Sequence, residues 1–170
     1  MRIYLIRHGR QNSPLCNVNV PLSDAGKRQA ELLGERLKKE SIDAVWSSDL
    51  IRACETADII NEKLQAPRII RDGLREISFG DLEGLSDDVI MERYADFFAA
   101  RASMKEDLPY PGGENAADVI RRAVPVMDEI AKSGAETVAV VTHGGVDLPQ
   151  FTCEAISLTD LPDWESCRIW

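Results

Sequence analysis

Short apolar runs alternate along the chain with longer stretches in which apolar residues recur every three or four positions. The run at 3–6 is continuously apolar, which is typical of a strand buried on both faces. Residues 43–46 and 68–71 predict two further short strands, and 137–141 predicts the clearest strand of the chain. Since strands buried on both faces belong to parallel sheets, the pattern indicates a mostly parallel central sheet.

Helical spacing of apolar residues follows each of the first two predicted strands. Ser23 is expected to cap a helix that ends near Lys38 and Lys39, and Asp49 is expected to cap a second helix that continues to Leu64. Strands that alternate with helices favour an α/β fold. We therefore expect a three-layer sandwich with the sheet in the middle and helices on both of its faces.

The next part of the chain begins with a segment that shows neither the apolar runs typical of strands nor the helical spacing of apolar residues. Residues 72–84 predict irregular structure, and 86–100 predicts a helix. Residues 115–132 predict a long helix, in which Asp118 completes a capping arrangement at the start and Pro125 bends the axis.

The C-terminal part predicts a last helix near 146–157 and a terminal strand near 167–170. At 170 residues with 44% hydrophobic content, the chain has enough material for one substantial core and is short for two. We therefore expect a single domain over residues 1–170.

The composition is acidic, with 20 Lys and Arg against 29 Asp and Glu and a formal net charge of -9. Such a charge repels polyanions, so we expect no nucleic-acid partner. No apolar stretch approaches membrane length, and the run before Arg7 is too short for a signal peptide, so we expect no membrane partner. Four widely spaced cysteines without a CxxC pair indicate reduced thiols, which favours a cytoplasmic location.

The chain has two histidines, His8 and His143, and each directly follows a predicted buried strand and precedes a glycine. Ligands of such sheets bind at the carboxyl ends of the strands, so we expect both imidazoles at one edge of the sheet. Glycine leaves room for an anion to approach the backbone, which makes Gly9 and Gly144 candidate substrate-binding residues. The alternative is that each histidine only forms a hydrogen bond within its loop.

Two arginines can bring positive charge to the same edge. Arg7 precedes the first histidine, and Arg52 lies in the first turn of the predicted second helix. Guanidinium groups, imidazoles and a helix N-terminus together favour binding of a small anion. The alternative for Arg52 is a surface ion pair with Glu55 or Asp49, which spacing alone does not exclude.

A neutral histidine in a cationic pocket has a nucleophilic nitrogen near pH 7, so the site is also a candidate for group transfer. A leaving alkoxide needs a proton, and Glu76 in the irregular segment is a candidate donor. Asp81, Glu83 and Asp87 are rivals that the residue types do not rank.

Six ordered motifs along most of the chain resemble those of the histidine phosphatase superfamily, the phosphoglycerate-mutase-like proteins. The first is Leu5-Ile6-Arg7-His8-Gly9, and the others lie at 21–26, 47–53, 76–84, 111–114 and 142–145. The overall pattern is most similar to the branch that holds α-ribazole phosphatases and sugar bisphosphatases.

The resemblance implies a role for each candidate residue. His8 corresponds to the family's nucleophile, Glu76 to its proton donor, and its phosphate-clamping residues correspond to Arg7, Arg52 and His143. It therefore implies hydrolysis of a small phosphorylated metabolite through a phosphohistidine on His8. No metal or other cofactor is implied.

Arg10 and Gln11 depart from the family, which commonly has an acid or amide and then Thr or Ser after the first histidine motif. We expect both residues to contact the substrate at an altered edge of the pocket. The short segment 84–111 leaves little material for an enclosing lid, which favours a phosphatase over a phosphoglycerate mutase. A protein phosphohistidine phosphatase and a non-catalytic phosphate-binding module are further alternatives, and the oligomeric state stays open.

Overall fold

The computed structural model describes residues 1–103, 105–146 and the backbone of 154–156. Five strands are described in it: β1 Arg2–Arg7, β2 Ala44–Ser47, β3 Arg68–Ile70, β4 Thr137–Thr142 and β5 Glu154–Ile156. They form one sheet in the order β3-β2-β4-β1-β5, and every pair of neighbours is parallel. The predicted parallel sheet is confirmed.

Longer elements connect the strands and supply the outer layers of the fold. The described α-helices are α1 Asp24–Leu37, α2 Ile51–Leu64, α3 Asp87–Arg93, α4 Ala95–Ala102 and α5 Ala116–Lys132. The segment predicted to be irregular contains two short 3₁₀ turns, Asp72–Leu74 and Gly80–Leu82. None of the helices in these described ranges is both long and apolar enough to cross a membrane.

One face of the sheet is covered by α1 and α2. Leu33 of α1 and Ile60 of α2 belong to a buried apolar cluster that includes Ile6, Val45 and Val141 of three strands. Complete burial of an aliphatic side chain of this size contributes about 1.5–3 kcal/mol, so this cluster holds both helices against the sheet.

The opposite face is covered by α5. Met127 and Ile130 of this helix are fully buried in a second cluster with Trp46 and Val140. Successive side chains of β4 point to opposite faces, so this central strand contributes to both clusters. The predicted three-layer α/β sandwich is therefore confirmed.

Helix capping follows the sequence at two of three predicted positions. Ser23 Oγ accepts a hydrogen bond from Gly26 N at the start of α1, and Asn115 and Asp118 form a capping box at the start of α5. The prediction that Asp49 caps α2 is wrong. Leu50 is the N-cap residue, and its apolar side chain provides no hydrogen bond. The Asp49 carboxylate is paired instead with the guanidinium of Arg75.

The helix predicted over 86–100 is two helices, α3 and α4, that meet at Tyr94. The backbone of Tyr94 has φ -120° and ψ 19°, which departs from helical geometry and breaks the axis. The predicted last helix near 146–157 is wrong at 154–156. These residues form β5 because their backbone pairs in register with the otherwise open edge of β1. The rest of that prediction, and the terminal strand at 167–170, lie outside the described residues.

Candidate active site

Adjacent parallel strands bring the two histidines together. Arg7 at the end of β1 is in register with Thr142 at the end of β4, so the residues that follow each strand leave the sheet side by side. His8 N donates to the carbonyl of Thr142 over 3.0 Å. The two imidazole ring centres are 4.9 Å apart. The prediction that His8 and His143 lie together at one edge of the sheet is confirmed.

The first imidazole is held in a defined protonation state. His8 Nδ1 lies 2.7 Å from the carbonyl oxygen of Gly9. A carbonyl oxygen only accepts, so Nδ1 carries the proton and the lone pair is on Nε2. Burial lowers the pKa of His8 to about 3, and the charges of Arg52 and Arg7 act in the same direction against the Gly9 hydrogen bond. The ring is therefore neutral near pH 7, with a nucleophilic Nε2.

Arg52 projects from the first turn of α2 directly onto this nitrogen. Its Nε donates to His8 Nε2 over 3.1 Å, and its two terminal nitrogens donate to Val18 O over 3.1 Å and Asn17 Oδ1 over 2.7 Å. The side chain is only 1% exposed. The alternative of a surface ion pair with Glu55 or Asp49 is wrong. The Glu55 carboxylate accepts from a backbone N–H, and the Asp49 carboxylate is paired with Arg75.

Arg7 brings a second guanidinium beside the loop of the second histidine. It is exposed, and its side chain has no hydrogen bond or ion pair with another described residue. A Cβ placed on Gly144 would lie 3.3 Å from Arg7 Cζ. Glycine at 144 therefore leaves room for the arginine to lie close against this loop.

Glu76 is the acidic side chain that bonds to the second histidine loop. Its Oε1 accepts from Gly145 N over 2.8 Å and from Ile77 N over 3.0 Å. Burial raises the pKa of Glu76, and the two backbone N–H groups and the nearby arginines oppose that shift in part. Because Oε1 accepts both bonds, Oε2 is the oxygen that can carry a proton.

The three rival acids are exposed and lie differently. Glu83 Oε1 accepts from Asn17 Nδ2 over 3.0 Å and from the backbone N of Phe79 over 3.0 Å, which ties neighbouring loops together. Asp81 lies against Gly112, and Asp87 begins α3. Neither their exposure nor their contacts match those of Glu76.

The residues after the first histidine serve partly to shape their own loop. Gly9 is buried, and a Cβ there would lie 2.6 Å from the carbonyl oxygen of Gly26, so only glycine fits. Arg10 N donates to the buried Gln29 Oε1 over 2.7 Å, while the arginine side chain is exposed. Gln11 Nε2 donates to two carbonyls of the loop that follows it, over 3.0 and 3.1 Å.

Three polar residues contact the site without having been predicted from the sequence. Ser48 Oγ lies 2.7 Å from His143 Nε2. Thr56 Oγ1 accepts from Gly9 N over 3.0 Å and donates to the carbonyl of its own helix one turn earlier, and Asn17 orients Arg52. Only Ser48 had a signal in the sequence, because it directly follows β2 and so lies at the same sheet edge.

An ion pair behind the site holds the segment that carries Glu76. Arg122 donates to three carbonyls of the segment 73–76 over 2.8–3.0 Å and to both oxygens of Glu114 over 2.8 and 2.9 Å. Glu114 also accepts from Ser78 N over 2.9 Å. Arg122 holds the pKa of Glu114 below its ordinary value. This pair fixes both ends of the short loop around the acid.

Two imidazoles, two guanidiniums and one carboxyl group of raised pKa therefore converge at the carboxyl edge of a parallel sheet. This set of groups has the chemistry to bind a phosphate-type anion and to present a neutral nucleophile to it. In the residues described, no group of three or more His, Cys, Asp or Glu is arranged to hold a metal ion.

The comparison with known proteins agrees with this class. Residues 3–162 match the histidine phosphatase superfamily (branch 1), and the chain belongs to that family. It is 37% identical over 153 residues to phosphoglycerate mutase-like protein 4 of Arabidopsis thaliana, covering 85% of this chain and 66% of the relative. It is 36% identical to the metal-independent phosphoserine phosphatase of the same plant, covering 85% of this chain and 64% of the relative. The chain thus spans just under two thirds of these two proteins.

Solved structures show the same fold. The α-ribazole phosphatase from Shigella flexneri is 28% identical with a TM-score of 0.74, covering 86% of this chain and 75% of that one. A mycobacterial glucosyl-3-phosphoglycerate phosphatase is 31% identical with a TM-score of 0.73, covering 84% and 73%. The family predicted from the six motifs is confirmed.

Proposed function

We propose that this chain is a metal-independent phosphomonoesterase that hydrolyses a small phosphorylated metabolite through a phosphohistidine on His8 Nε2. The observation that carries the proposal is the protonation state of this ring. Its Nδ1 donates to the Gly9 carbonyl and its pKa is lowered to about 3, so Nε2 keeps its lone pair at neutral pH. A site that only bound phosphate would gain more from a charged imidazolium.

In the first step, Nε2 attacks phosphorus in line with the ester oxygen. The N–P bond forms as the P–O ester bond breaks. Arg52 Nε donates to His8 Nε2 over 3.1 Å. Its guanidinium passes to the phosphoryl oxygens as the substrate enters, together with Arg7 and the neutral ring of His143. These donors stabilise the charge of the transition state.

Glu76 supplies the proton that the departing oxygen needs. Its raised pKa increases the fraction of Glu76 that is protonated, and Oε2 is free of the two backbone bonds made by Oε1. The leaving group departs as an alcohol. In the second step Glu76 takes a proton from water, the water oxygen attacks phosphorus, and the N–P bond breaks to release phosphate and regenerate His8.

The substrate-binding surface is proposed to include Gly9, Arg10, Gln11 and Gly144. The exposed guanidinium of Arg10 is the member of this set best placed to meet a polar substituent of the substrate, since Gln11 is bonded within its loop. Names of relatives include phosphatases for phosphoserine and for glucosyl-3-phosphoglycerate, which supports a small phosphorylated metabolite as the class of substrate.

The deciding experiment is a hydrolysis screen over phosphoserine, sugar phosphates, phosphoglycerates, α-ribazole phosphate and a phosphohistidine protein. Hydrolysis of one small substrate well above the rest supports the proposal. Transfer between positions of phosphoglycerate without release of phosphate indicates a mutase, and activity on the protein substrate alone indicates a phosphohistidine phosphatase. If every substrate is left intact while inorganic phosphate still binds, the chain is a binding module.

The intermediate has its own test. Rapid acid-free quenching with labelled substrate is expected to leave acid-labile, base-stable label on the chain, and His8→Ala is expected to abolish it. Since the chain has only 2 histidines, a parallel experiment on His143→Ala completes the assignment of the label to one of them. Label that survives in His8→Ala places the nucleophile elsewhere.

We also propose a cytoplasmic location and no nucleic-acid partner. The formal charge of -9 disfavours polyanions, and the two described cysteines, Cys16 and Cys54, are free thiols. Cell fractionation and a nucleic-acid binding assay at low salt test the two statements.

A further inference from the structure

The second imidazole of the site has one nitrogen bonded and one without a partner. His143 is 3% exposed. Its Nε2 lies 2.7 Å from Ser48 Oγ, whereas its buried Nδ1 has no hydrogen-bond partner among the described residues. A buried polar atom left unpaired costs about 1–3 kcal/mol, so Nδ1 is the atom that a ligand in this pocket would satisfy.

The charge state of this ring makes the position of its proton decisive. Burial, the neighbouring His8 and the surrounding arginines lower the pKa of His143 well below its ordinary value. A neutral imidazole has a single N–H, and its other nitrogen presents a lone pair. A lone pair directed at a phosphoryl oxygen is repulsive, whereas an N–H is an attractive donor.

The surroundings of Ser48 select between the two tautomers. The backbone N–H of Leu50 donates to Ser48 Oγ over 3.4 Å, a long bond that nonetheless uses an acceptor site of the hydroxyl. The Ser48 hydroxyl proton can then be donated to His143 Nε2, which is the acceptor that the described residues offer it. If Nε2 carried the proton instead, both the Ser48 hydroxyl proton and Nδ1 would lack a partner in the described part of the chain.

We infer that Ser48 is a positioning residue that donates its hydroxyl proton to His143 Nε2 and thereby fixes the Nδ1–H tautomer, which presents Nδ1–H to a phosphoryl oxygen. The inference rests on the proposed function in taking a phosphoryl group as the ligand. It assigns to both imidazoles the same tautomer for opposite purposes: the His8 tautomer exposes a lone pair for attack, and the His143 tautomer exposes a donor.

Nitrogen NMR of the full chain labelled with ¹⁵N-histidine tests the assignment. With only 2 histidines in the sequence, two-bond ¹⁵N–¹H correlations give the tautomer of each ring without overlap. At neutral pH, His143 is expected to show a protonated Nδ1 and an unprotonated Nε2. A protonated Nε2 with a bare Nδ1, or protonation of both nitrogens, in the unsubstituted protein overturns the inference.

The substitution Ser48→Ala removes the proposed donor. It is expected to move the His143 proton toward Nε2 and to weaken binding of inorganic phosphate, measured by calorimetry, by about 10- to 100-fold, the range for a lost hydrogen bond to a charged group. Ser48→Thr keeps the hydroxyl and is expected to retain the tautomer. The matched control is Ser47→Ala, since Ser47 Oγ bonds to the Ser48 carbonyl and to Arg68 rather than to a histidine.

The His8 resonances provide an internal reference, because the bond from His8 to the Gly9 carbonyl does not involve Ser48. Unchanged His8 signals show that a variant is folded. If no variant folds, the His143 tautomer in the unsubstituted protein tests the inference by itself. An unaltered His143 tautomer and phosphate affinity in a folded Ser48→Ala protein refute the inference. If tautomer and affinity behave as expected while no phosphomonoester is hydrolysed, the proposed function fails and the role of Ser48 stands.

Discussion

Acidifying a phosphate-free solution from pH 7 to pH 5 is expected to destabilise the folded chain through His8. Well above pH 6.5 this imidazole is neutral in both the folded and the unfolded chain and adds no pH dependence. Its folded pKa is about 3, against an ordinary value of 6.5. Between these two values only the unfolded chain binds the proton, so stability falls as the pH falls.

The size of the effect follows from the interval between the ordinary pKa and the working pH. Each pH unit below the ordinary value costs about 1.4 kcal/mol while the folded ring stays neutral, so the loss from His8 alone at pH 5 is about 2 kcal/mol. The loss would level off only near pH 3, where the folded ring also takes up a proton.

Urea unfolding at pH 7, 6 and 5 measures this loss when the unsubstituted protein is compared with His8→Asn. Every other titrating group is common to both proteins, so the difference between their pH dependences isolates the imidazole. The unsubstituted protein is expected to lose about 2 kcal/mol more than the variant between pH 7 and pH 5. Parallel pH dependences would mean that the folded ring titrates normally and would refute the lowered pKa of His8.

Further predictions concern the metal, the acid and its support. Activity is expected to survive exhaustive EDTA treatment, and a loss restored by a divalent ion would contradict the metal-free mechanism. Glu76→Gln is expected to slow phosphorylation by an alkyl phosphate by a factor of about 10² to 10⁴ in single turnover, and by p-nitrophenyl phosphate far less; equal losses would exclude Glu76 as leaving-group acid. The proposed mechanism requires protonated Glu76, so kcat/KM for alkyl phosphates should fall as the pH rises through its raised pKa, and a flat basic limb would contradict this. Arg122→Met is expected to reduce the free energy of unfolding by about 1–3 kcal/mol and to lower kcat. Arg121→Met loses only an exposed ion pair and should do neither. Equal effects of the two substitutions would show that the ion pair of Arg122 with Glu114 does not hold the Glu76 segment.

Much of the site could be predicted because its residues lie at positions that the sheet fixes. His8 and His143 directly follow two strands that are strongly apolar, and adjacent parallel strands carry whatever follows them to the same edge. Arg52 lies in the first turn of the helix after β2, so its direction was predictable although its partners were not. Its almost complete burial distinguishes it from a surface arginine.

The supporting contacts depend on distances that no local pattern encodes. Asn17 and Arg122 resemble ordinary loop and helix-surface residues in the sequence, yet they orient Arg52 and the Glu76 segment across 35 and 46 positions of chain. The strand at 154–156 has the same origin. Local propensity favoured helix there, whereas the open edge of β1 offered backbone pairing that propensity does not include.

The pairing of β1 with β4 also determines when, during folding, the two histidines can come together. Arg7 and Thr142 are register partners although 135 positions separate them (142 minus 7). Closing so long a loop is among the slower events of folding. During synthesis the first histidine leaves the ribosome long before the second, so a nascent chain cannot assemble the anion site until β4 has emerged and inserted between β1 and β2. Recovery of phosphate binding in a refolding experiment would therefore report the insertion of β4 rather than the formation of the α1 and α2 layer.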